Sequence, residues 1–323
     1  MSASLPTPEL AATAAPRRRG LRWGERSVVG LPFAWLLLFF LLPFLIVLKI
    51  SVSEMEMVTF KDLFTWADGV LQVQVKLGNY LFLLQDDLYF RAYLASLKYA
   101  AITTAWCLFI GYPFAYFMAR AKAAIQPALL MMVMLPFWTS FLLRVYAWKG
   151  LLGEGGWVAE VLNTLHVDSL LLALDLIPGP GQYMNTPFSL VLGMVYTYLP
   201  FMVLPLYANL SKMDVRLLEA AYDLGATPWV AFWRVTVPMS KAGIVAGSML
   251  VFIPCVGEYV IPELLGGPQT LMIGRVLWDE FFANNDWPMA SAVAVVMILL
   301  ILVPLALFNR AQAEAQARQG ARG

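Results

Sequence analysis

The stretch EAAYDLGATPWVAFWRVTVP, residues 219–238, is a polar segment between two long apolar runs. Asp214 suits the N-cap of a short helix, and Gly225 suits its left-handed stop. Thr227 suits the cap of a second helix with Pro228 at its first position. The first helix carries an apolar stripe at helical spacing, formed by Leu217, Leu218, Ala221 and Leu224. We predict two short helices at an angle, joined at Gly225.

The runs on either side of this segment are charge-poor and long. The chain of 323 residues is 60% hydrophobic and 13% charged, which is typical of a protein surrounded by lipid. A membrane-spanning helix needs about 20 apolar residues. Six runs meet this length or come close to it: Val28–Ile50, Tyr99–Ala119, Ala123–Leu143, Phe188–Leu210, Ala242–Leu265 and Trp287–Asn309. The first run is longer than the apolar part of a signal peptide and lacks a small-residue cleavage site, so we expect it to be retained.

The distribution of basic residues predicts the orientation. Most of the 22 Lys and Arg lie before the first run, after the second, between the fourth and fifth, or after the sixth. By the positive-inside rule these segments are cytoplasmic, and with six spans both termini lie on that side. The expected fold is therefore an all-α multi-pass membrane protein. The predicted location is a membrane.

We divide the chain into four parts. Residues 1–27 are expected to form a disordered basic cytoplasmic tail, and residues 28–94 the first span with a long periplasmic loop. Residues 95–310 are expected to form a five-helix core that includes the cytoplasmic loop 212–240. Residues 311–323 are a second cytoplasmic tail.

Three interpretations of the polar loop compete. A DNA-binding helix-turn-helix is disfavoured because lipid-crossing runs tether both ends within a few residues. An amphipathic connector on the membrane surface is the plain alternative. The third is a docking element for a cytoplasmic partner, since a short helix fixed to two spans is able to transmit a push. No nucleic acid partner is expected.

The motif EAA…G followed by Pro238 resembles the EAA loop of binding-protein-dependent ABC importer permeases, the MetI-like, type I family. Val235 and Val237 stand where that family usually has Ile and Leu. Further segments are similar to putrescine/spermidine permeases, in particular to the putrescine permease subunit: FWTSFLLRVYAWKGLL, YTYLPFMVLPLYANL, GSMLVFIPCVGEYVIPELLGGP and MIGRVLW. The likeness covers roughly residues 28–308.

This resemblance implies a complex in the bacterial inner (cytoplasmic) membrane. The permease pairs with a second homologous permease, two copies of an ABC ATPase and a periplasmic polyamine-binding protein. It also implies that the loop is the coupling helix received by the ATPase, through Glu219, Ala220, Ala221, Asp223, Gly225 and Pro238. The chain has no G-x-x-x-x-G-K-[ST] phosphate loop, so we expect no bound cofactor, and ATP and Mg are used by the partner ATPase.

Charged residues at membrane depth mark a candidate substrate path. Glu258 lies in the fifth run beyond Pro254, which we expect to kink the helix there. In this interpretation Glu258 meets the ammonium of a diamine; the alternative is that it pairs with Arg144. Tyr259 follows directly, and Gly243 and Gly247 permit close helix packing. Aromatic walls for the methylenes of the substrate are expected from Trp138, Tyr146, Trp148, Tyr196 and Tyr198.

Three acidic residues before the sixth run have two interpretations. They either dock the binding protein and attract cations, or form an ordinary solvated loop. They are Asp279, Glu280 and Asp286.

The favoured function is thus non-enzymatic: half of an ATP-driven importer for polyamines, with putrescine as the first candidate. Spermidine or another small cation is the alternative substrate. A gradient-driven carrier is disfavoured because the six runs show no evident internal repeat. A membrane enzyme is disfavoured because His166 is the single histidine and the sequence shows no metal-ligand cluster and no nucleophile–base constellation.

Overall fold

A computed structural model describes residues 23–56, 59–60, 64–67, 70–73 and 77–320. The predicted disordered tail 1–27 lies mostly outside this part of the chain. The described residues of the N-terminal unit, which ends at Lys49, are helical and mostly apolar. They form α1 (Trp23–Leu36), a π-helical turn (Leu37–Leu41) and α2 (Leu42–Ser51), which runs just past the end of the unit. The stretch Ser27–Ser51 is long and apolar enough to cross a membrane, and its apolar side chains are exposed, as lipid contact requires.

The remainder of the chain begins with two antiparallel hairpins and a short helix. Strands β1 (Met55–Glu56) and β2 (Thr59–Phe60) form the first hairpin, and β3 (Phe64–Ala67) and β4 (Val70–Val73) form the second. The helix α3 (Gly78–Gln85) follows. This long loop therefore carries structure of its own, within an otherwise helical fold.

Three helices build the main core. They are α4 (Asp87–Arg120), α9 (Pro187–Leu210) and α13 (Lys241–Val256). Their contact is lined by fully buried side chains such as Met118, Met202 and Leu206. The start of α9 is specified locally. The Thr186 hydroxyl accepts from Ser189 N at 3.2 Å, and the Ser189 hydroxyl accepts from Thr186 N at 3.1 Å.

Two smaller apolar clusters surround this core. One joins α3 and the first turns of α4 to α15 (Ile273–Trp278) and α16 (Trp287–Gly320). There the Tyr93 hydroxyl donates to the Val293 carbonyl at 2.8 Å. The other cluster joins α6 (Phe141–Leu152), α7 (Trp157–Thr164) and α8 (Val167–Ala173). Burial there raises the pKa of Tyr183.

The predicted third span is wrong as a continuous helix over Ala123–Leu143. The chain forms α5 (Gln126–Met134) and a tight turn (Leu135–Trp138), then bends by 89° into α6. Thr139 adopts an extended backbone, and its hydroxyl donates to the Pro136 carbonyl at 2.8 Å. That bond satisfies a carbonyl at the helix end and so stabilises the break.

The predicted fifth span is also interrupted, at a different place from the expected kink. Pro254 lies inside α13, and the helix continues to Val256 before it ends at Gly257. A second helix, α14 (Val260–Leu265), follows, so the break lies at Gly257–Tyr259. A tight turn (Pro268–Thr270) leads to α15, and a π-helical turn (Asp279–Ala283) extends α15 towards α16.

By length and composition, three helices of the described chain can cross a membrane: Ser27–Ser51, Asp87–Arg120 and Pro187–Leu210. Two further pairs of helices are bent at a short break: Gln126–Trp138 with Phe141–Leu152, and Pro228–Met239 with Lys241–Val256. If each pair is one span, the number rises to five. The apolar part of α16, Trp287–Val303, corresponds to the predicted sixth run. The count of six and the cytoplasmic side of both termini remain predictions.

Candidate coupling loop and polar break

The loop between α9 and α13 has the two-helix form predicted from its sequence. Helix α10 (Arg216–Asp223) is followed by α11 (Pro228–Ala231), a π-helical turn (Phe232–Thr236) and α12 (Val237–Met239). Pro238 lies within α12. The chain then turns by 65° into α13. Pro238 therefore precedes the bend, while Ser240 is the residue at which the direction changes.

Local hydrogen bonds lie at both ends of α10, whose N-cap is Val215 and not Asp214 as predicted. Arg216 donates its backbone N to Asp214 Oδ1 at 3.0 Å, and its guanidinium contacts the same carboxylate at 2.9 Å. These bonds hold the pKa of Asp214 below its usual range. At the other end Gly225 has a φ of +81°, and Ala226 N donates to the Ala221 carbonyl at 3.0 Å. The predicted left-handed stop at Gly225 is present.

The second helix begins as predicted. The Thr227 hydroxyl accepts from Val230 N at 3.4 Å, and Pro228 occupies the first helical position, where its missing N–H leaves no bond unmade. Phe232 packs edge-on against Tyr112 and Tyr116 of α4, with ring centroids 5.6 and 5.8 Å apart. The loop is thereby anchored to the helical core.

The apolar stripe of α10 is only partly covered by this chain. Leu218 is buried, Ala221 is half-buried, and Leu217 and Leu224 are exposed. Leu224 has 88% of its surface exposed. The expected docking residues Glu219, Ala220 and Asp223 are exposed too, and neither carboxylate forms an ion pair within the described residues. The loop thus presents free apolar and acidic surface together.

The break after α13 places Glu258 in a buried position. Its side chain is 9% exposed, and one carboxylate oxygen accepts from the Tyr198 hydroxyl of α9. The other oxygen accepts from Val260 N at 3.1 Å and Ile261 N at 3.4 Å. A buried carboxylate needs such donors, because desolvation otherwise makes its charge costly.

The alternative pairing of Glu258 with Arg144 does not form in the described part of the chain. Arg144 lies near the start of α6, with its guanidinium carbon 6.0 Å from the Phe137 ring centroid and 5.9 Å from that of Phe141. Its Nε and Nη1 atoms are buried without a hydrogen-bond partner among the described residues. Sequence reasoning named Tyr198 only as a wall residue, and no local signal identified it as the partner of Glu258.

The aromatic residues predicted to line the substrate path lie in different surroundings. Tyr259 stacks on Trp278 with centroids 4.2 Å apart and an interplanar angle of 13°. Trp148, which is half-buried against the core, packs edge-on against the exposed Tyr196 at 5.4 Å. Trp138 and Tyr146 are 77% and 55% exposed. These rings do not form one enclosed box in this chain alone.

Acidic residues beyond the break make structural contacts. Glu280 accepts from the Tyr89 hydroxyl at 2.7 Å, and Asp286 Oδ1 accepts from Met289 N at 2.9 Å near the start of α16. Glu263 lies 2.7 Å from Arg275 Nε, but the N–H does not point along this contact, so the pair is ionic without a hydrogen bond. No group of residues able to hold a metal is present in the described ranges.

Comparison with known proteins agrees with this architecture. Residues 107–313 match the family model of the binding-protein-dependent transport system inner membrane component. The chain belongs to this family. It is therefore an inner-membrane transport subunit, and the match includes α9, the coupling loop and the broken fifth span.

Curated relatives cover most of the chain. The spermidine/putrescine transport system permease protein PotB of Haemophilus influenzae is 38% identical, over 84% of this chain and 88% of the relative. PotB of Escherichia coli K12 is 38% identical, over 88% of this chain and 95% of its own length. The inner membrane ABC transporter permease protein YdcU of Escherichia coli K12 is 34% identical, over 67% of this chain and 70% of its own.

Solved structures support the fold. A chain of a bacterial ABC transporter involved in the import of the acidic polysaccharide alginate matches with a TM-score of 0.58 and 16% identity. The match covers 94% of this chain and 99% of that one. At this identity the likeness concerns the fold alone.

Proposed function

We propose that this chain is one permease of an ATP-driven importer of polyamines. The observation that carries the proposal is the coupling loop, because it projects from the core helices with free apolar and acidic side chains. A surface of this kind fits a cytoplasmic partner that supplies the energy, since the chain has no phosphate loop of its own.

In this proposal the companion subunits are a second homologous permease, two copies of an ABC ATPase and a periplasmic polyamine-binding protein. The substrate class is supported by the names of the relatives in Haemophilus influenzae and Escherichia coli, because both names contain spermidine and putrescine. The path is proposed to pass the broken third and fifth spans, near Trp138, Arg144, Tyr146, Trp148, Glu258 and Tyr259. Glu219, Ala220, Ala221, Asp223, Gly225 and Pro238 are proposed to form the ATPase contact.

Reconstitution in vesicles tests this function. The chain alone is expected to move no amine, and the complete complex is expected to take up a polyamine when ATP is inside and a loaded binding protein outside. Separate arms with putrescine, spermidine and cadaverine identify the preferred amine from the stimulation of ATP hydrolysis. Gradient-driven uptake by the isolated chain contradicts the proposal, as does a complex that hydrolyses ATP without response to any of the three amines.

Reversing the charge of Glu219 tests the ATPase contact. Glu219→Lys is expected to weaken association with the ATPase at least about tenfold, because a docking site that receives a carboxylate opposes a cation. Insertion should be unchanged, since Glu219 is exposed and makes no ion pair in the described chain. The measurement is co-purification of the ATPase at increasing salt.

The matched control is Glu160→Lys, which reverses an exposed carboxylate on α7, a helix distant in sequence from the loop. That variant should retain the ATPase as the parent chain does. Equal retention of the ATPase by Glu219→Lys and Glu160→Lys would rule out Glu219 as a docking residue.

A further inference from the structure

Helix α14 is attached to α9 at three points along its length. At its C-terminal end the Ser189 hydroxyl donates to the Leu265 carbonyl at 2.7 Å. In the middle the helices approach so closely that a Cβ at Gly193 would lie 2.5 Å from Leu265 Cδ1 and 3.2 Å from Ile261 Cγ2. At its N-terminal end the Tyr198 hydroxyl donates to the Glu258 carboxylate.

Glu258, at the break between α13 and α14, is also in close contact with α15. A Cβ at Gly274, in α15, would lie 2.5 Å from the Glu258 carbonyl oxygen. The α15 helix is itself tied to α4, because Ile273 N donates to the Ser96 hydroxyl at 2.8 Å. The backbone of Glu258 therefore has little freedom, and its side chain reaches α9 from a fixed position.

Three donors of this chain surround the Glu258 carboxylate. Tyr198 supplies one, and the first N–H groups of α14 supply two more. Within the described residues the carboxylate has no ammonium or guanidinium partner. These three bonds occupy three of the roughly four acceptor sites of the carboxylate and hold it against α9 and α14, so the fold itself uses most of its bonding capacity.

We propose that Glu258 and Tyr198 form a latch that fixes α14 to α9, and that Glu258 is a positioning residue which does not contact the amine. The coupling loop leads directly into α13, and α13 packs on α9, so we expect a displacement of α13 to carry α9 with it. The latch then makes α14 follow α9 across the break at Gly257, and motion of the loop reaches the far half of the fifth span. This inference rests on the proposed function of the chain in transport.

The test uses the complete complex with variants at both residues. Tyr198→Phe and Glu258→Ala are expected to lower the maximal uptake rate about fivefold to tenfold, since each removes a buried hydrogen bond. The amine concentration at half-maximal rate should not change. Glu258→Gln should retain most of the rate, because the amide oxygen accepts from α14 and the amide group still pairs with the Tyr198 hydroxyl.

The matched control is Tyr99→Phe. Tyr99 lies on α4 in the same buried core, and its hydroxyl makes no hydrogen bond in the described part of the chain. Tyr99→Phe should therefore leave the uptake rate unchanged.

Amide hydrogen exchange of α14 separates this inference from the proposed function, because it needs no knowledge of the substrate. Tyr198→Phe is expected to speed amide exchange at residues 263–265 about tenfold in the assembled complex, while Tyr99→Phe does not. Unchanged exchange in Tyr198→Phe would overturn the latch, whether or not polyamines are transported. A tenfold rise in the half-maximal amine concentration with Glu258→Gln, at an unchanged maximal rate, would also overturn it and show that the charge contacts the substrate.

Discussion

Gly225→Pro is expected to abolish ATP-coupled uptake while the chain still inserts into the membrane. Proline holds φ near −65°, whereas Gly225 has a φ of +81°. The substitution also removes the N–H that donates to the Tyr222 carbonyl at 2.8 Å. Proline in an incompatible conformation costs about 3 kcal/mol or more, which leaves less than about 1% of molecules with the original angle between α10 and α11.

The measurement compares uptake, ATPase stimulation and membrane abundance with those of Gly225→Asn. Asparagine adopts the left-handed conformation more readily than other residues and keeps the N–H, so this variant should retain transport. The space around the position is open, because a Cβ at Gly225 would meet no atom within 4 Å. Normal coupling in Gly225→Pro would show that the angle between the two helices is not used to transmit force.

The coupling loop was predictable because its signals are local. A left-handed glycine, a threonine cap and a proline at the first helical position act through bonds to neighbours a few residues away. Each was confirmed at Gly225, Thr227 and Pro228. What the sequence could not predict is which part of the apolar stripe is covered. Leu218 and Leu224 are equally hydrophobic, yet Leu218 is buried and Leu224 is exposed. The burial of each depends on neighbouring helices and on partner proteins.

The breaks in the third and fifth spans were missed for a different reason. Mean hydropathy over a window detects apolar character and carries no information on the direction of the backbone. The break at Thr139–Ser140 lies inside an apolar run with no charge to mark it. Pro254 drew attention as the expected kink, but a helix tolerates proline when neighbouring groups satisfy the freed carbonyl.

The partner of Glu258 illustrates the limit for candidate sites. Opposite charge made Arg144 the natural choice, whereas the carboxylate accepts from Tyr198, 60 residues away along the chain. A neutral hydroxyl leaves no charge pattern in a sequence, so this contact becomes visible only when α9 and α14 are placed side by side. The contacts of Glu280 and Asp286 were also not predictable from the sequence, because their partners Tyr89 and Met289 are identified only in the folded chain.

The packing of α13 on α9 gives the second large expected effect. Gly243 and Gly247 lie one turn apart on α13 and face α9. A Cβ at Gly247 would lie 2.8 Å from Met202 Sδ and 3.0 Å from the Met202 carbonyl oxygen. One at Gly243 would lie 2.8 Å from Asn209 Cβ and 3.1 Å from the Pro205 carbonyl oxygen. The two carbonyl oxygens and Asn209 Cβ are held by the backbone and cannot rotate aside, whereas Met202 Sδ can. The two helices reach their observed separation only with glycine at both positions.

The double variant Gly243→Val/Gly247→Val is therefore expected to destabilise the folded chain by about 2–6 kcal/mol, since overpacking costs typically 1–3 kcal/mol at each site. The measurement is thermal loss of the monodisperse, detergent-solubilised complex, with a midpoint lowered by about 10 °C. Gly150→Val is the matched control, because a Cβ at Gly150 in α6 would meet nothing within 4 Å. Equal midpoints for the double variant and this control would contradict the close approach of α13 to α9. The route by which the coupling loop moves α9 would then be lost, because that route requires the two helices to move as one.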